Sequence, residues 1–199
     1  MTKEKGKALV LSPEQFKRTI KFQKSTKYGL RNSILLMISF YLGLRSKEMA
    51  SLTIGDLVDR NGDLKEECML KKHQTKRSKQ RRFYLTNDKL KKVLLEYLET
   101  RKDRDGNLDL DSYLIVSQKG GSFNPNTLQQ LFHKMYKDVG IIGASSHSGR
   151  RTMATRCAES GVSIRNLQVL LGHSSISSTA LYIQESPKVL GKISSDYSI

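Results

Sequence analysis

Cysteine is scarce in this 199-residue chain, with Cys68 and Cys157 the whole supply. They lie far apart and outside any Cys-x-x-Cys spacing. A disulfide scaffold is therefore excluded, no zinc-ligand pattern is present, and both read as reduced thiols of a cytosolic protein. Long apolar runs are also lacking. The longest, Ile34 to Leu44, is interrupted by Ser39 and Gly43 and falls well short of the roughly 20 residues of a membrane span. The opening MTKEKGKALVLS has no hydrophobic signal region, so neither secretion nor membrane attachment is expected. No internal repeat, low-complexity tract or interdomain linker is visible. Acidic residues are in short supply: 19 Asp and Glu stand against 35 Lys and Arg, a net charge of +16. So cationic a domain calls for a polyanionic partner, nucleic acid above all. Its 37% hydrophobic and 27% charged residues suit one globular domain with a core of its own.

The pattern predicts an α+β fold, mainly helical, with one small antiparallel sheet. Ser12-Pro13-Glu14 is a helix start, with Ser as N-cap and Pro in the first turn; Phe16, Ile20 and Phe22 would face inward. A central helix is expected from Tyr28 to Leu42, capped by a left-handed Gly43, and a short one from Arg45 to Leu52. Asn61-Gly62 marks a turn, and Lys65–Leu70 and Arg81–Leu85 read as strands around a basic loop. Leu90, Val93, Leu94, Tyr97 and Leu98 share one helical face. Arg101 to Asp111 reads as a loop, Tyr113 to Val116 as a short strand or buried connection, and Lys119-Gly120-Gly121 as a turn. Asn126 would cap a helix over Thr127–Val139. Short helices follow over His147–Ser160, over Ser163–Leu171 and around Tyr182, ended by Gly161, Gly172 and Pro187.

Four features bear chemistry. Lys71 to Arg82 reads KKHQTKRSKQRR, seven cations and no acid; it is either a solvated loop or a phosphate contact, and so dense a like-charge cluster finds its neutraliser in a phosphate backbone. Arg45 follows a glycine turn that fixes its backbone, and Glu48 is read as structural, through the helix dipole or an arginine partner. His147 and Arg150, three apart on a helix, share one face and can both donate to one phosphate. His173 follows Gly172, and Tyr182 lies nine residues on. Taken singly, each has a plain reading as a surface cation, a capping histidine or a core tyrosine. Their joint order does not.

In that order and spacing the chain resembles the catalytic domain of the tyrosine recombinase (phage integrase) family, from about Leu11 to Ile183. Gly43-Leu44-Arg45-Ser46-Lys47-Glu48 is similar to the family's first arginine motif. Lys76, in Thr75-Lys76-Arg77-Ser78-Lys79-Gln80-Arg81, matches its catalytic lysine, with Lys79 as fallback. His147 and Arg150 match the His-x-x-Arg box, His173 the Leu-Gly-His box and Tyr182 the nucleophile. The resemblance implies a catalytic set of Arg45, Lys76, His147, Arg150, His173 and Tyr182. Lys71, Lys72, Arg77, Lys79, Arg81, Arg82 and Arg151 would contact DNA. No metal and no cofactor are expected. Double-stranded DNA is the implied partner, within a homo-oligomeric, tetrameric synapse that accessory DNA-bending proteins could join, in the cytoplasm at the nucleoid. A type IB topoisomerase and a non-catalytic DNA-binding regulator on the same fold are the alternatives.

Residues 1–11 are expected as a flexible basic lead, 12–186 as the catalytic DNA-binding domain and 187–199 as a tail. By resemblance the tail docks onto a neighbouring protomer; otherwise it packs on its own domain. The sequence departs from the family pattern at Gly149, usually Leu, and Arg151, usually His. Gly149 either loosens the helix holding Arg150 or marks its start. The chain also has only about a dozen residues ahead of its first helix. It is thus either an excised domain or a compact stand-alone enzyme, similar in size to the fimbrial phase-variation invertases.

Overall fold

The computed structural model describes residues 8–75, 80–182 and 194–195. It is a helical body with one two-stranded sheet, as the patterning predicts. Helix α1 (Pro13–Lys24) starts at a capping box in which Ser12 and Gln15 satisfy each other's backbone N–H groups. Phe16 points inward and stacks on Phe40 at 3.9 Å. Phe22 does not join it and is exposed, because six residues on from Phe16 the helix has turned to its outer face; Thr19 and Gln23 take the inner positions.

Helix α2 (Gly29–Met37) carries the apolar run and is buried on nearly all sides. The run does not stay α-helical to Leu42. Ile38–Leu42 widens into a π turn, and Gly43 ends it in the left-handed conformation, φ 60°. Helices α3 (Ser46–Ala50) and α4 (Ile54–Leu57) follow. Strands β1 (Glu67–Leu70) and β2 (Arg81–Tyr84) pair antiparallel, Cys68 opposite Phe83 and Leu70 opposite Arg81. They are shorter than expected, since outside this register Lys65 bonds the Leu57 carbonyl instead of the sheet.

Helix α5 (Asp88–Asp105) runs through the first part of the expected loop. Arg101 holds it there: buried, it donates to the Tyr113 and Leu114 carbonyls and pairs with Asp105 one turn on. Residues 113–116 are a connection rather than a strand of the sheet, with Tyr113 exposed and Leu114, Ile115 and Val116 buried, tied to the core through Leu114 N–H and the Leu52 carbonyl. Helix α6 (Pro125–Lys137) is capped by Asn124, not Asn126, whose N–H donates to the Asn124 side chain; Pro125 at the first helical position marks the true start.

Helices α7 (Ser148–Glu159), α8 (Ile164–Leu171) and α9 (Ile176–Ala180) close the chain's described part. Gly149 lies in the first turn of α7, against the π turn. A Cβ there would fall 2.5 Å from Ser39 Oγ and 3.0 Å from Phe40 N. Glycine at this position therefore permits the close approach of two backbones, and it marks the helix start. The apolar interior gathers α1, α2, the sheet, α5 and α6; a smaller cluster of Ala154, Leu167 and Leu171, with Met153, Cys157 and Tyr182 at its edge, joins α7 to α8 and α9. Part of the expected basic lead belongs to the fold. Leu11 is 2% exposed and its N–H donates to Thr152 Oγ1, because its apolar side chain fills the core beside α7. None of the described helices is long and apolar enough to cross a membrane.

Candidate active site

Arg150 lies at the centre of the site, 2% exposed. Its Nη1 donates to the Gly43 carbonyl at 2.5 Å, and its Nη2 to the Leu171 carbonyl at 2.6 Å. Both acceptors stand at helix C-termini, where carbonyls lack intrahelical partners and the dipole is negative. Gly43 and Gly172 make these ends possible through their left-handed backbones, φ 60° and 62°. Side chains at the two positions would also strike Met153 and the methylenes of Arg81. Burial, with Arg45 and Arg81 nearby, lowers the Arg150 pKa, yet the guanidinium stays charged at neutral pH.

His173 follows Gly172. Its Nε2 lies 2.9 Å from Arg150 Nη2 and its Nδ1 3.0 Å from Thr179 Oγ1. A guanidinium has no acceptor, so Nε2 must be the acceptor and Nδ1 the protonated nitrogen. Burial, then the charges of Arg150, Arg45 and Arg81, push the imidazole down to about 4, against a smaller opposite pull from Glu48. His173 is neutral at physiological pH. The Tyr182 ring stacks on it, centroids 5.7 Å apart and planes 15° off parallel. Tyr182 is half-buried and its N–H donates to the Thr179 carbonyl.

Arg45 occupies the N-cap of α3. Its backbone N–H and Nη1 both bond Glu48, each at 2.8 Å. Glu48 is almost fully buried and also accepts from Arg81 Nη2 at 2.9 Å. Burial raises its pKa, but Arg81, the Arg45 N–H, and the charges of Arg45 and Arg150 outweigh that and leave it lowered. Glu48 thus orients one cation of the site and neutralises a second. The sequence reading allowed Glu48 an arginine partner; it has two.

Arg81 departs from its expected role as a DNA contact. It is 7% exposed, and its Nη1 donates to the Leu170 carbonyl at 2.7 Å. It is an internal tie between β2, α3 and α8, turned inward by the alternation of the strand. Arg151 is half-buried and donates to the Ala8 carbonyl, fastening the N-terminal segment. Lys71, Lys72 and Arg82 are exposed; Lys71 lies 3.5 Å from Asp56, and Arg82 3.2 Å from Glu67 across the sheet. Lys76, Arg77 and Lys79 lie outside the described residues, as does the tail from 187 apart from residues 194–195. The segment leading to Lys76 is firmly held. Gln74, fully buried, donates to the Ser51 carbonyl and Asp56, and Lys47 Nζ donates to the Thr75 carbonyl at 3.1 Å. Nothing in one sequence singles out Gln74, Lys47 or Thr179.

Arg45, Glu48, Thr75, Gln80, Arg81, Gly172, His173 and Tyr182 line one open cleft of about 550 Å³, and Arg150, outside the lining, reaches it through its contact with His173. His147, the N-cap residue of α7, is exposed one helical turn before Arg150 and is not among the residues lining that cleft. Arg45, His173 and Tyr182 around one opening, with Arg150 buried against His173, can hold a tetrahedral anion beside a phenol.

Residues 10–188 match the phage integrase family. The chain belongs to that family. Among curated relatives, it is 30% identical to tyrosine recombinase XerC of Bacillus pumilus (strain SAFR-032), over 96% of this chain and 66% of that protein. It is 31% identical to tyrosine recombinase XerA of Pyrococcus horikoshii, over 81% of this chain and 53% of that protein. This family member thus spans about half to two thirds of the length of the relatives it matches. Its fold is similar to the crystal structure of XerA recombinase, with a TM-score of 0.74 at 24% identity over 100% of this chain and 66% of that one. It is also similar to XerH site-specific recombinase bound to difH substrate, with a TM-score of 0.71 at 22% identity over 97% and 56%.

Proposed function

We propose that this phage integrase family member is a site-specific DNA recombinase that cuts and rejoins strands through a covalent 3′-phosphotyrosine. The observation that carries this reading is that Arg45, His173 and Tyr182 line one cleft and that buried Arg150 touches His173 behind it. Arg45 and Arg150 grip the non-bridging oxygens of a DNA phosphodiester and stabilise the charge of the pentavalent transition state. A bound phosphate raises the His173 pKa, so the imidazole takes up a proton and donates to the same oxygens. The Tyr182 oxygen attacks phosphorus, its proton passing through water to His147, which stands outside the cleft lining. The bond to the 5′ oxygen breaks, and Lys76 protonates that oxygen as general acid. The phosphotyrosine keeps the energy of the broken bond, so rejoining needs only the reverse attack by a 5′ hydroxyl.

Double-stranded DNA is the substrate, which puts the working protein on the nucleoid. The named relatives that bear on this are recombinases, one of them solved with its DNA site. Exchange of two duplexes requires several active sites, so a homo-oligomer on DNA is part of the proposal. The tail beyond residue 187, with Val189, Leu190 and Ile193 as its apolar face, docks onto a neighbouring protomer. The test is a nicked duplex carrying the target site, to be sought first among inverted repeats next to the coding region. The native chain traps a covalent protein–DNA band, and Tyr182→Phe abolishes it. A band that survives Tyr182→Phe, or binding to the site with no band at all, overturns the proposal. Relaxation of a supercoiled plasmid lacking that site would point to the topoisomerase alternative.

A further inference from the structure

Thr179 lies three residues before Tyr182 on the inner face of α9 and is completely buried. It touches two groups of the site through different atoms. Its side-chain oxygen lies 3.0 Å from His173 Nδ1, and its carbonyl accepts the Tyr182 N–H at 3.0 Å. The other imidazole nitrogen faces Arg150 Nη2 at 2.9 Å, and the Tyr182 ring is stacked on the imidazole face. The histidine is therefore held from three sides: a cation at Nε2, a hydroxyl at Nδ1 and an aromatic ring above. Arg150 fixes the neutral tautomer, because a guanidinium donates and never accepts and so leaves Nε2 as the acceptor; the Thr179 hydroxyl then accepts from Nδ1–H.

We propose that Thr179 is a positioning residue for strand cleavage: its hydroxyl oxygen accepts from His173 Nδ1–H and aims Nε2 into the phosphate cleft, while its carbonyl holds the turn that carries Tyr182. The inference rests on the reading of Tyr182 as the nucleophile. Threonine suits the task on both counts. Its β-branched side chain is stiff about χ1, which limits the directions its oxygen can take, and the backbone carbonyl lies at the helix end, where it is available to the Tyr182 N–H. A histidine rotated off the cleft would take its Nε2, the nitrogen that takes up a proton when phosphate binds, away from the phosphate oxygens, and it would no longer share one anion with Arg150.

Thr179→Val keeps the branched shape and removes the acceptor; Thr179→Ser keeps the hydroxyl. On the nicked duplex, Thr179→Val is expected to slow covalent-complex formation about tenfold or more, as misplacement of a reacting group does. Site binding in a gel shift should change by less than about threefold, and Thr179→Ser should stay within about threefold of the native rate, since the hydroxyl hydrogen bond is retained. Cleavage by Thr179→Val at the native rate, or equal defects in both variants, overturns the proposal. A second measurement needs no variant to fold and no DNA. Imidazole ¹⁵N spectra of the native chain at neutral pH should show His173 protonated at Nδ1 and bare at Nε2; the reverse overturns it. If the native chain forms no covalent complex while the spectra show Nδ1–H, the nucleophile assignment fails and the Thr179–His173 contact stands.

Discussion

At the scale of single residues, the site is a set of cations whose ordinary partners are already arranged. Arg150 is held by two helix-end carbonyls and His173. A phosphate need not order it, and the entropy of fixing a long side chain is met on folding. His173 makes the sharper prediction. Its pKa is pushed down to about 4 by burial and the surrounding arginines. The folded form thus binds a proton less readily than the unfolded chain, whose histidines titrate near 6.5. A depressed group of this kind contributes stability that is present above the unfolded pKa and is lost as pH falls toward the folded one. The native chain should therefore unfold more easily as pH drops from about 6.5 toward 4, while His173→Gln shows a shallower fall over that window. Thermal unfolding across the range measures both; identical pH profiles would contradict the assignment. On the proposed DNA substrate the order should reverse, since a bound phosphate favours the charged imidazole. A ¹H titration of His173 should move to higher pH in the complex.

At the scale of elements, Glu48 and Arg81 bind three pieces of chain together. Glu48 joins α3 to β2, and Arg81 continues the tie to the end of α8 through the Leu170 carbonyl. Both partners are buried, so removing one leaves an uncompensated charge, a loss of about 3–5 kcal/mol. Glu48→Ala should lower urea stability by about that amount, and Arg45→Ala by much less, because Arg45 is partly exposed and leaves the Glu48–Arg81 pair intact. Equal effects would contradict the network.

The basic segment between β1 and β2 has a separate test. If Lys76 is the general acid, Lys76→Ala should cut a normal strand slowly and a strand with sulfur at the 5′ bridging position at nearly the native rate. A thiolate leaves without a proton, its pKa being about 8.5. Failure of sulfur to restore cleavage would place the acid elsewhere.

These elements also show what was legible in the sequence. Apolar periodicity, caps and glycine turns located α1, α2, both strands, α5, α7 and α8, because those signals are local; the helix expected around Tyr182 is instead α9, which ends at Ala180 with Tyr182 in the turn after it. The π turn at Ile38–Leu42, the continuation of α5 through Arg101 and the inward Arg81 were not legible. Each is decided by a contact remote in sequence: Gly149 against Ser39, Arg101 against Tyr113 and Leu114, Arg81 against Glu48. The same holds at the site. Arg45, Arg150, His173 and Tyr182 could be read from motif order, whereas Thr179 and Gln74 owe their places to the tertiary fold alone.

At the scale of the whole molecule, the excess of 35 basic over 19 acidic residues predicts that affinity for DNA, the proposed substrate, depends strongly on salt. The logarithm of affinity should fall with the logarithm of salt at about −0.9 for each phosphate neutralised. Replacing an exposed cation such as Lys72 should flatten that slope by about one contact. Deleting residues 188–199 should weaken multimeric assembly in a gel-shift titration while leaving binding of a single protomer. Unchanged assembly would remove the tail from the docking role.

The central claim is that the phenol of residue 182 attacks a phosphorus held by the surrounding cations. Trypsin releases the stretch from Asn166 to Lys188 with Tyr182 as its sole tyrosine, and the stretch from Ile193 to Ile199 with Tyr197. Mass spectrometry of a trapped and nuclease-trimmed complex should find a nucleotide joined through its 3′ phosphate to the first peptide. A nucleotide on the peptide bearing Tyr197, or on neither, would contradict the account.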